Sequence, residues 1–197
     1  MKNQLDRQWF YKGFYRQMKQ RLGPERAALI WSEASDAFAA FSPGLKARKG
    51  AMTLPAVALY RALKRHGEDA ETLLNAYGDR MGRRLAGIVH AVTCVPGVSR
   101  LIWKRIDRIM DRMSGEAQGY KRRIVSEPPE MYGVDILSCP YHELARSLET
   151  EKAVLCICHM DKAYMKGFRH IRYERTAAVS EGADCCDYRL RFDLNKP

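Results

Sequence analysis

The spacing of apolar residues changes along this chain of 197 residues. Through the first half they recur at helical spacing, and the clearest stripe is Leu74, Tyr77, Met81, Leu85, Ile88 and Val92. Near the C-terminus the pattern becomes alternating, with Cys186, Tyr188, Leu190 and Phe192 expected to face a core. The change predicts an α+β fold. We expect about five N-terminal helices packed with a small antiparallel sheet and one or two further helices.

A polar stretch, residues 116–130, separates the two patterns and contains Pro128-Pro129. Such a composition is typical of a surface linker. We therefore divide the chain into a helical scaffold, residues 1–125, and a mixed α/β region, residues 126–197. The second region carries the candidate site. Both are expected to belong to one compact domain.

The net charge of +11 is concentrated in the scaffold, which carries +13, whereas residues 126–197 carry −2. Because these charges are spread over several helices, we interpret them as solvated helix faces. The scaffold contains no motif that reads nucleic acid, so nucleic acid is not favoured as a partner. The aromatic helix predicted over residues 3–22 favours a core or homodimer contact over a membrane surface.

The start of the chain shows no apolar segment typical of a secretory signal. The longest mostly apolar run, Leu85 to Val98, is interrupted by His90 and Pro96 and is too short to span a bilayer. We therefore expect a cytoplasmic protein with reduced thiols and no membrane partner.

Five of the six cysteines lie between Ser138 and Phe192, where the chemistry is expected. In a helix, Cys158 and Asp161 would share a face, and His159 adjoins the thiol. A thiol beside an imidazole can become a nucleophilic thiolate, but the same residue types also bind metals. Cys156 alone is interpreted as a core residue.

Alternation places Asp187 and Arg189 on one face of the last strand. They could form a surface ion pair, or Asp187 could anchor an arginine that binds a substrate carboxylate. Arg175 and Thr176, on the expected partner strand, offer a second guanidinium group and a hydroxyl donor. Upstream, His142 follows Cys139-Pro140-Tyr141 at an expected helix start.

With these motifs taken in the order in which they occur, the chain resembles the L-2-amino-thiazoline-4-carboxylic acid hydrolase family. The matching pieces are Cys139-Pro140-Tyr141, Cys158-His159-Met160-Asp161, Arg175-Thr176, Gly182 and Cys186-Asp187-Tyr188-Arg189. Tyr188 stands where the family pattern has phenylalanine. The resemblance implies a hydrolase of C–N bonds that adds water to C2 of a thiazoline carboxylate and opens the ring to S-carbamoyl-cysteine.

Such a reaction needs an attacking group, an acid/base and a cation for the carboxylate. We assign Cys158 as the nucleophile, and Asp161 with His159 or His142 as acid/base. Arg175 and Arg189, with Thr176 as donor and Asp187 as orienting group, would bind the small-molecule carboxylate.

Two alternatives stay open. Cys158, Cys186, Asp161 and His142 could instead bind Zn²⁺ or Fe²⁺ that activates water. The chain could also be a non-catalytic sensor of a small molecule or metal, similar to 4-vinyl-reductase-like sensor domains.

Overall fold

A computed structural model describes residues 4–46 and 50–196 of the chain. Within these residues the fold is mostly helical with one four-stranded antiparallel sheet, which confirms the predicted α+β class. The helices are α1 Phe14–Leu22, α2 Pro24–Ala40, α3 Pro43–Lys46, α4 Gly50–Arg65, α5 Ala70–Thr93, α6 Val98–Trp103, α7 Ile106–Ser114, α8 Pro140–Ser147 and α9 Leu155–Met165. The strands are β1 Lys121–Ser126, β2 Met131–Ser138, β3 Ile171–Glu174 and β4 Cys186–Phe192.

The described residues fall into two compact units, each built from two separate stretches of chain. The first unit contains the residues up to Asp79 together with Tyr141–Cys158. The second contains Arg80–Pro140 and the residues from His159 onward. Helices α5 and α9 therefore contribute residues to both units. The division at residue 125 that composition suggests stays a prediction.

The first unit is held by an aromatic core. Phe10, Phe14 and Met18 are buried, as the stripe over residues 3–22 predicts for a core helix. The described part of that segment is a 3₁₀ turn at Gln4–Arg7 followed by α1, instead of one continuous helix. Phe10 and Phe14 pack edge-on against Tyr77 of α5, with ring centroids 5.5 and 5.3 Å away. Such pairs add to the stabilisation that burial itself provides.

The second unit contains the whole sheet, in the strand order β1-β2-β4-β3. The central pair, β2 and β4, sets Val134 opposite Tyr188 and Ile136 opposite Cys186. The face that carries these residues packs on α6 and α7 through Trp103, Ile106 and Met110. The alternating set predicted to face the core does so: Cys186 and Leu190 are buried, and Tyr188 and Phe192 pack against the same cluster.

Two local predictions in this unit are wrong. The polar stretch 116–130 is not a linker throughout, because residues 121–126 form the edge strand β1, which pairs with β2. The strand expected to carry Arg175 and Thr176 ends at Glu174, before both residues. The backbone donors of Thr176 and Ala177 bind the side chain of Asp187 instead of a neighbouring strand.

Helix α9 reaches the sheet unit beside a glycine of α5. A Cβ atom on Gly82 would lie 2.5 Å from both the Met160 carbonyl oxygen and the Ala163 side chain. Real Cβ atoms do not approach so closely, so the absence of a side chain at Gly82 sets the separation between these two helical segments. Among the described residues, no helix is both long and apolar enough to cross a membrane.

Candidate active site

Three residues from three separate sequence motifs meet in the second unit. Asp161 comes from α9, Arg175 directly follows β3, and Tyr188 lies on β4. The Tyr188 hydroxyl donates a hydrogen bond to Asp161 Oδ2 at 2.7 Å. Arg175 Nη1 lies 3.2 Å from the Tyr188 oxygen and 3.5 Å from Asp161 Oδ2. The guanidinium also lies over the Tyr188 ring, 5.6 Å from its centroid.

The cation of this group is buried. Only 3% of the Arg175 side chain is exposed. Burial by itself lowers the pKa of Arg175, but Tyr188, Tyr173 and Asp161 raise it by more, so the guanidinium stays charged. A buried cation needs such partners because its desolvation is costly.

Asp161 is the more accessible partner, with 24% of its side chain exposed. Burial raises the pKa of Asp161, and the hydrogen bond from Tyr188, the charge of Arg175 and a hydrogen bond with Tyr164 offset that rise only in part. A carboxyl group with a raised pKa exchanges protons closer to neutral pH than an ordinary aspartate does. This property is the one that acid/base chemistry requires.

Two further tyrosines complete the surroundings of Asp161. Tyr164 is three residues further along α9 and therefore lies on the same helix face. Tyr173 of β3 is buried, and its hydroxyl has no hydrogen-bond partner among the described residues. Its pKa is raised by burial and by the nearby charge of Asp161. The Tyr173 hydroxyl is thus an available donor beside the carboxyl group.

Cys186 borders the same cluster from β4. The Val179 amide donates to its sulfur at 3.3 Å. Burial raises the pKa of Cys186, and the Cys139 thiol adds to the rise, although Arg175 opposes it. The neutral thiol is therefore the favoured form of Cys186, which makes it a poor nucleophile.

Asp187 fastens the segment that follows Arg175. Its carboxylate accepts hydrogen bonds from the Thr176 amide at 2.8 Å, from the Ala177 amide at 2.6 Å and from the Thr176 hydroxyl. Burial would raise the pKa of Asp187, but these hydrogen bonds lower it below its ordinary value. The predicted binding residues Thr176 and Asp187 thus bind each other, and together they fix the chain beside Arg175.

Arg189 lies across the sheet from this group, because side chains alternate along β4. It donates to Asp135 Oδ1 at 2.7 Å and to the carbonyl oxygens of Val134 and Tyr188. Asp135 also accepts a hydrogen bond from Arg123 of β1 at 2.8 Å. The two arginines that the sequence assigns to one carboxylate therefore lie on opposite faces of the sheet.

A family model described as L-2-amino-thiazoline-4-carboxylic acid hydrolase matches residues 46–190. The chain belongs to this family. The match covers most of the chain and includes every motif on which the resemblance was based, so the resemblance is confirmed. Membership in the thiazoline-carboxylate hydrolase family supports a hydrolase-type function. No sequence among the curated proteins matches the chain.

Several solved structures align over nearly the whole chain. An H-NOX protein from S. oneidensis in the Fe(II) ligation state, a mutant, aligns with a TM-score of 0.43 at 12% identity over 95% of this chain and 96% of its own. An unliganded Fe(II) H-NOX protein from K. algicida gives 0.39 at 10% identity over 94% and 96%. At these values the likeness identifies neither a ligand nor an activity for this member of the hydrolase family.

The remaining predicted residues of this hydrolase family member are distributed between the units. Cys158 and His142 belong to the first unit and His159 to the second, all three partly buried. Within residues 4–46 and 50–196, no three His, Cys, Asp or Glu side chains are grouped so that they could hold a metal ion. The catalytic roles of Cys158, His159 and His142 stay predictions, as does the Zn²⁺ or Fe²⁺ set of Cys158, Cys186, Asp161 and His142.

Sequence reasoning missed the tyrosines of the site. Tyr164 could have been found from its spacing of three residues from Asp161 on a helix. Tyr173 could have been found because it lies two residues before Arg175 and therefore on the same strand face. Asp135, a charged residue in the middle of an otherwise apolar strand, was a further signal.

Proposed function

We propose that the chain is a C–N hydrolase that opens a small cyclic amidine carboxylate, 2-amino-thiazoline-4-carboxylate or a related amino-acid-like molecule. The observation that carries the proposal is the contact among Asp161, Arg175 and Tyr188, which unites three motifs of the matching family. An acid/base group and a cation then lie side by side, as hydrolysis of a carboxylate-bearing ring requires.

Arg175 binds the substrate carboxylate in this proposal. Its charge is secured by its surroundings, and its distance of 3.5 Å from Asp161 is long for a charge-assisted hydrogen bond. A substrate carboxylate would compete with Asp161 for the guanidinium. The Tyr173 hydroxyl, which has no hydrogen-bond partner among the described residues, is a further donor for an oxygen of the same ligand.

Asp161 transfers the protons of the reaction. The attacking atom, a water oxygen or the Cys158 sulfur, forms a bond to C2, and the ring C–N bond breaks, so the nitrogen must gain a proton. When the substrate carboxylate binds Arg175, a second negative charge lies near Asp161 and favours its protonated form. The protonated carboxyl group gives its proton to the leaving nitrogen, and the carboxylate is reprotonated from water. Tyr188 and Tyr164 keep the carboxyl group oriented through both steps.

The attacking group is either Cys158 or a water molecule. Attack by Cys158 would form a thioester-like bond to C2 that water then hydrolyses. Direct attack by water would need Asp161 first as acid, to protonate the ring nitrogen, and then as base, to take a proton from the attacking water. Replacing Cys158 by serine separates the routes, since the direct route tolerates this change and the covalent route does not.

The test measures ring opening of 2-amino-thiazoline-4-carboxylate by the full chain, its D161N and R175K variants, and two controls. The controls R172K and D193N change the same residue types in the solvent-facing pair formed by Arg172 and Asp193. We expect D161N to lower kcat about a hundredfold or more. R175K should mainly raise KM, by about tenfold to a hundredfold, because a lysine keeps the charge but loses the guanidinium's hydrogen bonds to the substrate carboxylate.

The assignment would be overturned if D161N and R175K were as active as the controls R172K and D193N. Saturable binding of the thiazoline carboxylate without turnover would instead favour the sensor alternative. Circular dichroism of all five proteins ensures that lost activity is not lost folding.

A further inference from the structure

A charged groove lies in the second unit, bordered by α7, β1 and β2. Its volume is about 830 Å³, and its lining includes Asp107, Asp111, Arg108, Arg122 and Tyr132. Small-molecule sites typically enclose about 300–1,000 Å³. None of the residues that form the Asp161 cluster lines this groove.

Tyr132 is the most buried polar residue of the groove, with only 2% of its surface exposed. Its hydroxyl has no hydrogen-bond partner among the described residues. A buried hydroxyl without a partner destabilises a fold, so such a group calls for an explanation. Burial raises the pKa of Tyr132, while the nearby Arg122 opposes the rise and Asp111 adds to it. The hydroxyl end of Tyr132 therefore lies among the charged residues of the groove.

Arg122 supplies a second unsatisfied donor from the adjacent strand. Its Nη2 atom donates to Asp111 Oδ1, which holds the guanidinium in place. Its Nη1 atom is buried and has no hydrogen-bond partner in the part of the chain that the structure describes. Only 15% of the Arg122 side chain is exposed. The carboxylate of Asp111 thus fixes the guanidinium while another of its N–H groups keeps no acceptor among the described residues. Such a group is suited to bind an oxygen acceptor.

We propose that this groove binds the carboxylate or phosphate group of a small molecule, with Arg122 Nη1 and the Tyr132 hydroxyl as its donors. Lys104, Arg108 and Arg112 add positive charge to the lining, and Asp107, Asp111 and Glu127 offset part of it. The net positive balance favours an anion, and the acidic residues leave room for a cationic group on the same ligand. This site is separate from the proposed active site and does not depend on the hydrolase reaction.

The experiment is isothermal titration calorimetry of the full chain with inorganic phosphate and, separately, with succinate at constant ionic strength. The test variants are Y132F and R122Q. The matched control is K121Q, which removes the same charge from the exposed residue next to Arg122 on β1. Y132F removes only a hydroxyl that has no hydrogen-bond partner among the described residues, so the thermal unfolding temperature of Y132F should equal or exceed that of the original chain.

We expect saturable binding of at least one of the two anions, weakened tenfold or more by Y132F and by R122Q and unchanged in K121Q. Phosphate alone, or succinate alone, would identify the class of ligand. Binding that is weakened equally by K121Q and R122Q would reveal unspecific attraction and overturn the proposal. It would also be overturned if neither anion bound or if Y132F bound as tightly as the original chain. The D161N variant should retain the anion binding, which distinguishes failure of this site from failure of the hydrolase proposal.

Discussion

The Tyr188 hydroxyl connects Arg175 to Asp161: it donates to the Asp161 carboxyl group at 2.7 Å and accepts from Arg175 at 3.2 Å. The family pattern that this chain resembles has phenylalanine at this place. In the proposed function, the hydroxyl therefore tunes the acid/base group and is not itself a reacting group.

Removal of this hydroxyl should move the pH profile in a known direction. The hydrogen bond from Tyr188 lowers the pKa of Asp161, so Y188F should raise that pKa. The limb of the kcat/KM profile that reports Asp161 should then shift to higher pH, whether the residue acts as acid or as base. Loss of one hydrogen bond, about 0.5–1.5 kcal/mol, should change the maximal rate by no more than about tenfold. Y60F, which removes a tyrosine hydroxyl that donates to Glu71 in the first unit, is the control. A limb that stays or moves to lower pH contradicts the prediction.

Asp161 and Asp187 should contribute to stability with opposite dependence on pH. The pKa of Asp161 is raised in the folded state, so its contribution is fully present below the ordinary value of 3.8 and is lost as the pH rises through the folded pKa. The free energy of unfolding of the original chain should therefore fall, relative to D161N, as the pH rises from the ordinary value through the raised pKa of the folded state. Chemical denaturation across this range measures the difference.

D187N provides the contrast in the same experiment. The pKa of Asp187 is lowered, so its contribution is present above the ordinary value and is lost as the pH falls through the folded pKa. The original chain should therefore gain stability relative to D187N as the pH rises through the acidic range. At neutral pH the variant should be less stable by about 1–3 kcal/mol because the carboxylate contacts with Thr176 and Ala177 weaken. The same trend in both variants would contradict the assigned environments.

Gly82 and Gly87 on α5 form a matched pair for testing how α9 is positioned. A Cβ atom at Gly82 would collide with Met160 and Ala163. At Gly87, no atom of the described residues outside the adjoining turns of α5 lies within 4 Å of the corresponding position. G82A should lower the free energy of unfolding by about 1–3 kcal/mol. G87A should raise it by about 0.5–1 kcal/mol, because alanine favours a helix over glycine. Thermal melts measure the stability of both variants, and a G82A variant as stable as G87A would contradict this account.

The thiols should differ widely in their rate of alkylation. Burial raises the pKa of Cys156 to about 12, and its sulfur lies 3.3 Å from the Ala153 carbonyl oxygen. Iodoacetamide should therefore modify Cys156 only after unfolding, whereas the exposed Cys94 should react in the native protein. Mass spectrometry of peptides after timed quenching measures each rate.

The same experiment examines the predicted nucleophile. If Cys158 attacks C2, it should react faster than Cys94 despite being partly buried. A slower reaction would favour direct attack by water.

The sequence predicted those helices and strands whose apolar residues recur at a clear helical or alternating spacing. The core face of β4 and the buried face of α1 follow directly from the spacing of their apolar residues. Strand β1 was missed because it lies at the edge of the sheet and its residues, beginning Lys121-Arg122-Arg123, are mostly exposed to solvent. A solvated edge strand and a polar loop have the same composition, and only the pairing with β2 distinguishes them.

The sequence named candidate site residues but did not predict how they are arranged. Asp161 and Arg175 were named from their motifs, but their contact depends on how α9 meets the sheet, which no local pattern encodes. Asp187 and Arg189 were expected to act together because they share a strand face. Their actual partners, Thr176 on the β3–β4 connection and Asp135 on β2, are set by strand order and register.

The interleaved composition of the two compact units bears on how this protein can be dissected. Each unit needs residues that are far apart in the chain, and the last part of the first unit, Tyr141–Cys158, is made after most of the second. No single cut in the gene can release either unit intact, and a ribosome must synthesise about four-fifths of the chain before the first unit has all its parts. Deletion mapping would therefore misassign function here, and point variants are the appropriate tool.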